Sequence, residues 1–198
     1  MKKLILFFSV LIIAISFSSC SKMEIDKNAI VNTIYISREE DSLKVQFNTL
    51  KNESKNILEK YKVTAQNIEE AKTKLEETAI NNLFLGQLQN VIITNDIPLN
   101  QILECVSYFY TGYECSPNCN LLFTTKEAFK NINEDKSADI RITELSKLIK
   151  EKDKRISYNI YTFYNNVNKY TEYSKVPLLY LKDQLDIKSV KFMNIDEE

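Results

Sequence analysis

The sequence contains no histidine among its 198 residues, and this absence removes several classes of enzyme. Histidine is the commonest general base, the usual partner of serine and cysteine nucleophiles, and a frequent ligand of catalytic zinc. The chain also has only two glycines, Gly86 and Gly112, so it lacks a glycine-rich phosphate-binding loop. We therefore expect a protein that is not an enzyme and that holds no cofactor and no metal ion.

Residues that favour turns are scarce as well, since the chain has two glycines and three prolines. Hairpins and sheets generally need more of these residues than helices do. The scarcity predicts an all-α protein.

Neither sign of charge dominates, because 26 basic residues face 27 acidic ones and the net charge is −1. The lysines are scattered among glutamates and aspartates instead of forming a basic face. Binding to the phosphates of nucleic acids requires such a face, so no nucleic-acid partner is expected.

The first twenty residues have the three parts of a bacterial lipoprotein signal. Two lysines are followed by an apolar run over residues 4–15, and a phenylalanine and two serines then precede Cys20. The run is shorter than the roughly 20 apolar residues of a transmembrane helix. The segment resembles the lipobox of bacterial lipoproteins, although Phe17 stands where leucine is usual. We expect residues 1–19 to be cleaved and Cys20 to carry the lipid (palmitate among its acyl chains) that anchors the protein to a membrane.

Heptad-like spacing then predicts long helices. Ser37 and Glu40 have the spacing of a capping box, which opens a helix. Apolar or small residues follow at steps of four and three, and they are Leu43, Phe47, Leu50, Ser54, Ile57, Tyr61, Thr64, Ile68, Ala71 and Leu75. A second such series runs from Ile140 to Tyr170 and ends near Pro177.

The expected fold is an antiparallel long-helix bundle, in which residues 38–85 pair with residues 140–175. Two shorter helices lie between the long ones, one over residues 98–113 and one of about eight residues that Thr124 or Thr125 caps. In this organisation residues 20–36 are the lipidated cysteine and a tether, residues 37–181 are the helical bundle domain, and residues 182–198 are a C-terminal tail.

The second series resembles the C-terminal half of the LemA family. Arg155-Ile156, Phe163, Val167, Tyr170 and Pro177 stand at the spacing of that family's Arg-Ile, Tyr, Val, Tyr and Phe-Pro positions. The resemblance implies a bundle of long antiparallel helices outside the cytoplasmic membrane, with no established enzymatic role.

Three cysteines, Cys105, Cys115 and Cys119, remain once Cys20 is lipidated. In an exported protein an odd number suggests one disulfide and one free thiol. Cys115 and Cys119 flank a Ser-Pro-Asn turn, so a disulfide between them is the first choice, and a bridge from Cys105 to either is the alternative. Redox motifs usually have two residues between their cysteines, whereas this loop has three, which makes a thiol–disulfide exchanger the weakest hypothesis.

Aromatic residues surround the second predicted long helix instead of following one stripe. They either cover the segment 98–132 or form a patch that binds a partner. The candidates for partner binding are Tyr158, Tyr161, Tyr164 and Tyr173.

The sequence therefore predicts a lipid-anchored envelope protein of LemA-like type, which acts as a non-catalytic scaffold or partner-binding module. Its expected partners are the membrane, through the N-terminal lipid, and another envelope protein. It is periplasmic or lies at the cell surface. The alternative is a surface-exposed adhesin or a lipoprotein that binds a host ligand.

Overall fold

A computed structural model describes residues 29–50, 58–78, 82–134, 138–152, 156–169, 175–181 and 185–191. Its strands are β1 (Ala29–Glu39), β2 (Ser42–Leu50), β3 (Leu58–Ala65), β4 (Leu83–Phe84), β5 (Asn90–Thr94), β6 (Asn120–Thr124), β7 (Lys175–Leu181) and β8 (Leu185–Lys191). Its helices, numbered here in chain order, are α1 (Ile68–Thr78), α2 (Leu99–Thr111), α3 (Lys126–Glu134), α4 (Ala138–Lys152) and α5 (Ile160–Lys169).

The strands form one eight-stranded mixed sheet in the order β3-β2-β1-β5-β6-β7-β8, and β4 pairs with the start of β1. The four central strands β1, β5, β6 and β7 are parallel. Antiparallel strands flank them, with β2 and β3 at one edge and β8 at the other. Parallel strands need a connection that crosses over a face of the sheet, and the helices of this chain supply those connections.

Both faces of the sheet are buried, because successive side chains of a strand point to opposite sides. Ile34 and Ile36 of β1 pack in one core with α1, α2 and α5. Tyr35 lies between them in sequence and packs in a second core with α3 and α4. The architecture is therefore three layers, with the sheet between two layers of helices.

The all-α prediction is wrong, because the chain forms a mixed α/β fold around this sheet. The first predicted long helix falls on β1, β2, β3, α1 and β4. In β2 the apolar residues Leu43, Val45 and Phe47 alternate with the polar residues Lys44, Gln46 and Asn48, which is the period of a strand. Leu43 and Phe47, four residues apart, satisfy that period and a helical one equally.

The predicted capping box at Ser37 is the end of β1. Glu40 and Asp41 form the two-residue connection to β2, and Glu40 has a φ of 54°. Two-residue hairpin turns require left-handed backbone, which glycine or asparagine usually provides. Glutamate in that place hides the hairpin from an analysis that searches for glycine and proline.

The second predicted long helix is divided into α4 and α5, and the two lie on opposite faces of the sheet. Pro177 does not end a helix but lies inside β7. A long antiparallel pair is thereby excluded for the described residues. The shorter helices were predicted correctly: α2 occupies the segment 98–113, and α3 begins after Thr125, whose Oγ1 accepts the N–H of Ala128 at 3.2 Å.

The sheet also includes residues 29–36 and 185–191, which the sequence analysis assigned to the tether and the tail. The predicted signal over residues 1–19 and the lipid-bearing Cys20 lie outside the described residues. Among the helices that the structure describes, none has the length and apolar character needed to cross a membrane.

Candidate functional site

A cleft of about 590 Å³ opens where β1 ends and α3 begins. Ser37 at the end of β1, Gln46 of β2 and Lys62 of β3 line it from the sheet, and Phe129 lines it from α3. The cleft lies on the face that α3 and α4 cover, at the carboxyl ends of the parallel strands. Clefts of this size accommodate small molecules.

Behind the cleft, a buried chain of hydrogen bonds joins the sheet to α4. Asp139 in the first turn of α4 is 3% exposed, and its Oδ1 accepts the hydroxyl of Tyr35 at 2.5 Å. Its Oδ2 accepts the Nδ2–H of Asn48 at 2.9 Å. The Oδ1 of Asn48 in turn accepts the Nε2–H of Gln46 at 2.8 Å. We name Tyr35, Gln46, Asn48 and Asp139 the relay.

The relay fixes the wall of the cleft. The ring of Tyr35 packs edge-on against Phe129, with ring centroids 5.7 Å apart. The same tyrosine is therefore held by α4 through its hydroxyl and by α3 through its ring. Both helices that cover this face are positioned by one side chain of β1.

Positive charge dominates the lining of the cleft. Two glutamates, Glu39 and Glu40, are outnumbered by five cationic side chains, namely Arg38, Lys44, Lys62, Lys126 and Lys130. One of the glutamates is already paired, since Lys44 Nζ lies 2.8 Å from Glu39 Oε1. Hydrogen bonds from Lys44 and then Thr64 lower the pKa of Glu39. Lys126 lies 3.5 Å from Asp96 Oδ2.

A second feature, on the opposite face, is a cluster of tyrosines that we name the aromatic cluster. Tyr110 of α2 stacks on Tyr164 of α5 with centroids 4.1 Å apart, and on Tyr161 with centroids 6.2 Å apart. Tyr161 is half exposed. The structure thus brings together two of the predicted partner-binding residues and adds Tyr110, which the sequence analysis missed.

The other two tyrosine candidates are not part of this cluster. Tyr158 precedes α5, and its carbonyl accepts the N–H of Leu121 at 3.0 Å. Tyr173 lies outside the described residues. The i, i+3 spacing of Tyr161 and Tyr164 was the signal that one face of α5 carries both rings, but nothing local identified α2 as their partner.

The three remaining cysteines are buried and unbonded in the structure. Burial raises the pKa of Cys105 to about 12, that of Cys115 to about 11 and that of Cys119 to about 12. The thiolate of Cys115 further raises the pKa of Cys119, so these two groups are electrostatically coupled. The disulfide between Cys115 and Cys119, with Cys105 as the alternative, stays a prediction.

The described residues contain no group of three or more histidine, cysteine, aspartate or glutamate side chains that could hold a metal ion. The chemistry available in the cleft is hydrogen bonding and charge. In the aromatic cluster it is ring stacking.

Comparison with known proteins identifies a family. The model described as the spore germination protein N-terminal domain matches residues 21–181. No curated protein and no solved structure matches the chain. The resemblance to the LemA family is wrong, since the matching model is a different one. Of the described residues that carried it, Phe163 and Val167 lie on α5 and Pro177 lies on β7 instead of on one long helix.

Replacing Asp139 should destabilise the domain strongly. Asp139→Ala leaves the Tyr35 hydroxyl and the Asn48 amide without this acceptor in the interior, which should lower the free energy of unfolding by about 3 kcal/mol. Glu144→Ala is the matched control, because Glu144 is an exposed carboxylate on the same helix, and it should change stability by less than about 0.5 kcal/mol. Urea denaturation measures both. Equal stability of the two variants would show that the relay is not a structural constraint.

The buried thiols should resist alkylation in the folded protein. At pH 8, iodoacetamide should label reduced Cys115, with its pKa of about 11, on the order of a hundredfold more slowly than an exposed thiol. Mass spectrometry of the Cys20→Ser protein measures the rate, and unfolding in urea is the control that restores labelling. Rapid labelling of the folded chain would contradict the burial.

Unfolding without reductant tests the disulfide, because a Cys115–Cys119 bridge leaves only Cys105 to react.

Proposed function

The chain belongs to the family of spore germination protein N-terminal domains, and we propose that it is a lipid-anchored, non-catalytic envelope component that acts in spore germination by binding another envelope protein. The observation that carries the proposal is the extent of the family match. It begins at residue 21, directly after Cys20, and ends at residue 181, the last residue of β7. It therefore covers nearly all of the described fold.

The position of the match supports the lipid anchor. A lipoprotein signal peptidase removes the residues before the lipidated cysteine, so the mature protein of our hypothesis begins at Cys20, one residue before the family domain. The N-terminal lipid and the domain then account for most of the chain. Membership in this family agrees with a membrane-associated envelope protein and gives no support to the alternative of an adhesin.

The chemistry of the described side chains supports a non-catalytic role. The chain has no histidine to serve as a general base. Burial raises the pKa of all three described thiols, which suppresses the thiolate that disulfide exchange requires. The described surface offers aromatic and charged side chains that can contact another molecule.

The aromatic cluster is the surface that we assign to the partner protein. Tyr161 exposes half of its side chain, and its neighbour Tyr164 is held by stacking on Tyr110. Tyrosines with restrained rings contribute strongly to protein interfaces, because they bury a large area at little cost in side-chain entropy.

Loss of the lipid should detach the protein. Cys20→Ser should shift the chain from the membrane to the soluble fraction, or leave its signal uncleaved, because the lipid supplies the affinity for the bilayer. Spores that carry only this variant should germinate as slowly as spores without the gene. Immunoblots of fractionated cells and the fall in optical density of germinating spores measure the two effects. If the variant stays membrane-bound, is cleaved at the same place and supports normal germination, the anchor has no role.

Loss of the exposed ring should weaken partner binding without unfolding the domain. Tyr161→Ala should slow germination and abolish a crosslink to the partner from a photoreactive residue introduced at position 165, a partly exposed neighbour of the aromatic cluster on α5. Tyr113→Ala is the control, since Tyr113 is fully exposed and lies outside the aromatic cluster. Equal crosslinking by both variants would place the partner elsewhere.

A further inference from the structure

One buried polar atom without a hydrogen-bond partner belongs to a residue that lines the cleft, and two more lie at the same end of the sheet. Among the buried side-chain atoms of the described residues, three have no hydrogen-bond partner, and they are Gln46 Oε1, Thr94 Oγ1 and Asp96 Oδ1. Gln46 is 2% exposed and lines the cleft itself. Buried polar groups are nearly always satisfied, so three unsatisfied ones in a single region require an explanation.

The other two atoms border the cleft through its lining residues. Ile93 pairs with Ile36 in the parallel register of β5 and β1, which places Thr94 beside Ser37 of the cleft. The second oxygen of Asp96 lies 3.5 Å from Lys126, which also lines the cleft. All three unpaired atoms thus surround one end of the sheet.

The relay determines which way Gln46 points its amide. Asp139 accepts from Asn48 Nδ2, so Asn48 presents its oxygen to Gln46. Gln46 must then donate from Nε2, and its oxygen remains as an acceptor at the cleft. A ligand that satisfies Gln46 therefore carries a donor, such as a hydroxyl group.

The charges of the cleft require something different of the ligand. Lys62 and Lys130 line the cleft beside Lys126, and the N-terminal end of α3 begins at Lys126. Lysines attract an anion, and the free N–H groups at a helix start add to that attraction. Of the two glutamates that line the cleft, Glu39 already forms an ion pair with Lys44.

We propose that the cleft binds a small phosphorylated polyol. Its phosphate lies against Lys62, Lys126 and Lys130, and a hydroxyl donates to Gln46 Oε1. A molecule the size of one phosphorylated sugar fits within about 590 Å³. The inference rests on the geometry of the cleft and is independent of the role proposed in germination.

Calorimetric titration of the full-length protein in detergent tests the proposal. The probe is glucose 6-phosphate, and glucose and inorganic phosphate are its two halves. We expect glucose 6-phosphate to bind at least about tenfold more tightly than either half, because only the whole molecule engages both groups of residues.

Two variants separate the two groups. Lys130→Gln removes an exposed charge and should weaken glucose 6-phosphate about tenfold while leaving glucose unchanged. Gln46→Leu removes the unpaired acceptor and should reduce the affinity for glucose 6-phosphate to that for phosphate. Lys147→Gln, an exposed lysine of α4 away from the cleft, is the control and should bind as the unchanged protein does.

The outcomes distinguish a site from general attraction. Binding of glucose 6-phosphate no tighter than that of phosphate, or an equal loss in Lys130→Gln and Lys147→Gln, would overturn the proposal even if Gln46→Leu failed to fold. Mixed micelles that contain phosphatidylglycerol present a hydroxylated phosphate on a lipid headgroup in the same detergent. Competition by these micelles would assign the bound group to a lipid headgroup, and lack of competition would assign it to a soluble molecule.

Discussion

On the face of the sheet that α3 and α4 cover, the buried side chain of Asp139 fixes how α4 meets β1 and β2. A carboxylate that is 3% exposed is costly unless donors surround it. The two donors come from Tyr35 and Asn48, which are 104 and 91 residues away in the chain. The contact therefore holds α4 to β1 and β2. Because the ring of Tyr35 also packs on Phe129, the same residue contacts α3, and the cleft lies between α3 and strands β1, β2 and β3.

The opposite face is held together differently, by apolar packing. Phe163 of α5 lies 5.7 Å from Phe123 of β6, ring to ring, and both are fully buried. Burial of such side chains stabilises without regard to direction, whereas the relay is specific in its donors and acceptors. One face of the sheet is thus stabilised mainly by apolar burial. The other face is also stabilised by the hydrogen bonds of the relay, which hold the wall of the cleft.

The strands of this fold are visible in the sequence, but only if the apolar residues are interpreted with the two-residue period of a strand instead of the period of a helix. The alternation Leu43, Val45 and Phe47 is visible in the sequence, and Ile34 to Ile36 is the continuous apolar run of a strand with two buried faces. The reading as helix followed from the shortage of glycine and proline, which the Glu40–Asp41 turn does not need. Helices α2 and α3 were predictable because Pro98 and Thr125 mark their starts locally. The relay was not, since no local pattern joins Asp139 to residues on strands about a hundred positions earlier.

The same limit applies to the candidate sites. Tyr161 and Tyr164 could be selected because their own helix displays them, but the stacking on Tyr110 is a consequence of how α2 and α5 pack. The cleft was missed entirely, because its lysines are scattered along β2, β3 and α3 and look like ordinary surface charge in the sequence. Only the sheet order brings them to one place.

Strand β1 separates the point where the described chain enters the sheet from the cleft. The chain reaches β1 at Ala29, nine residues after Cys20, and β1 then runs for 11 residues to the cleft. At about 3.3 Å per residue, the strand carries the cleft roughly 35 Å from the point where the chain enters the sheet. The aromatic cluster lies on the opposite face of the sheet from α3, so a partner bound at Tyr161 would leave the cleft accessible. The two proposed sites thus lie over opposite faces of the same strand, since Phe123 packs against α5 and Leu122 packs on the side of α3.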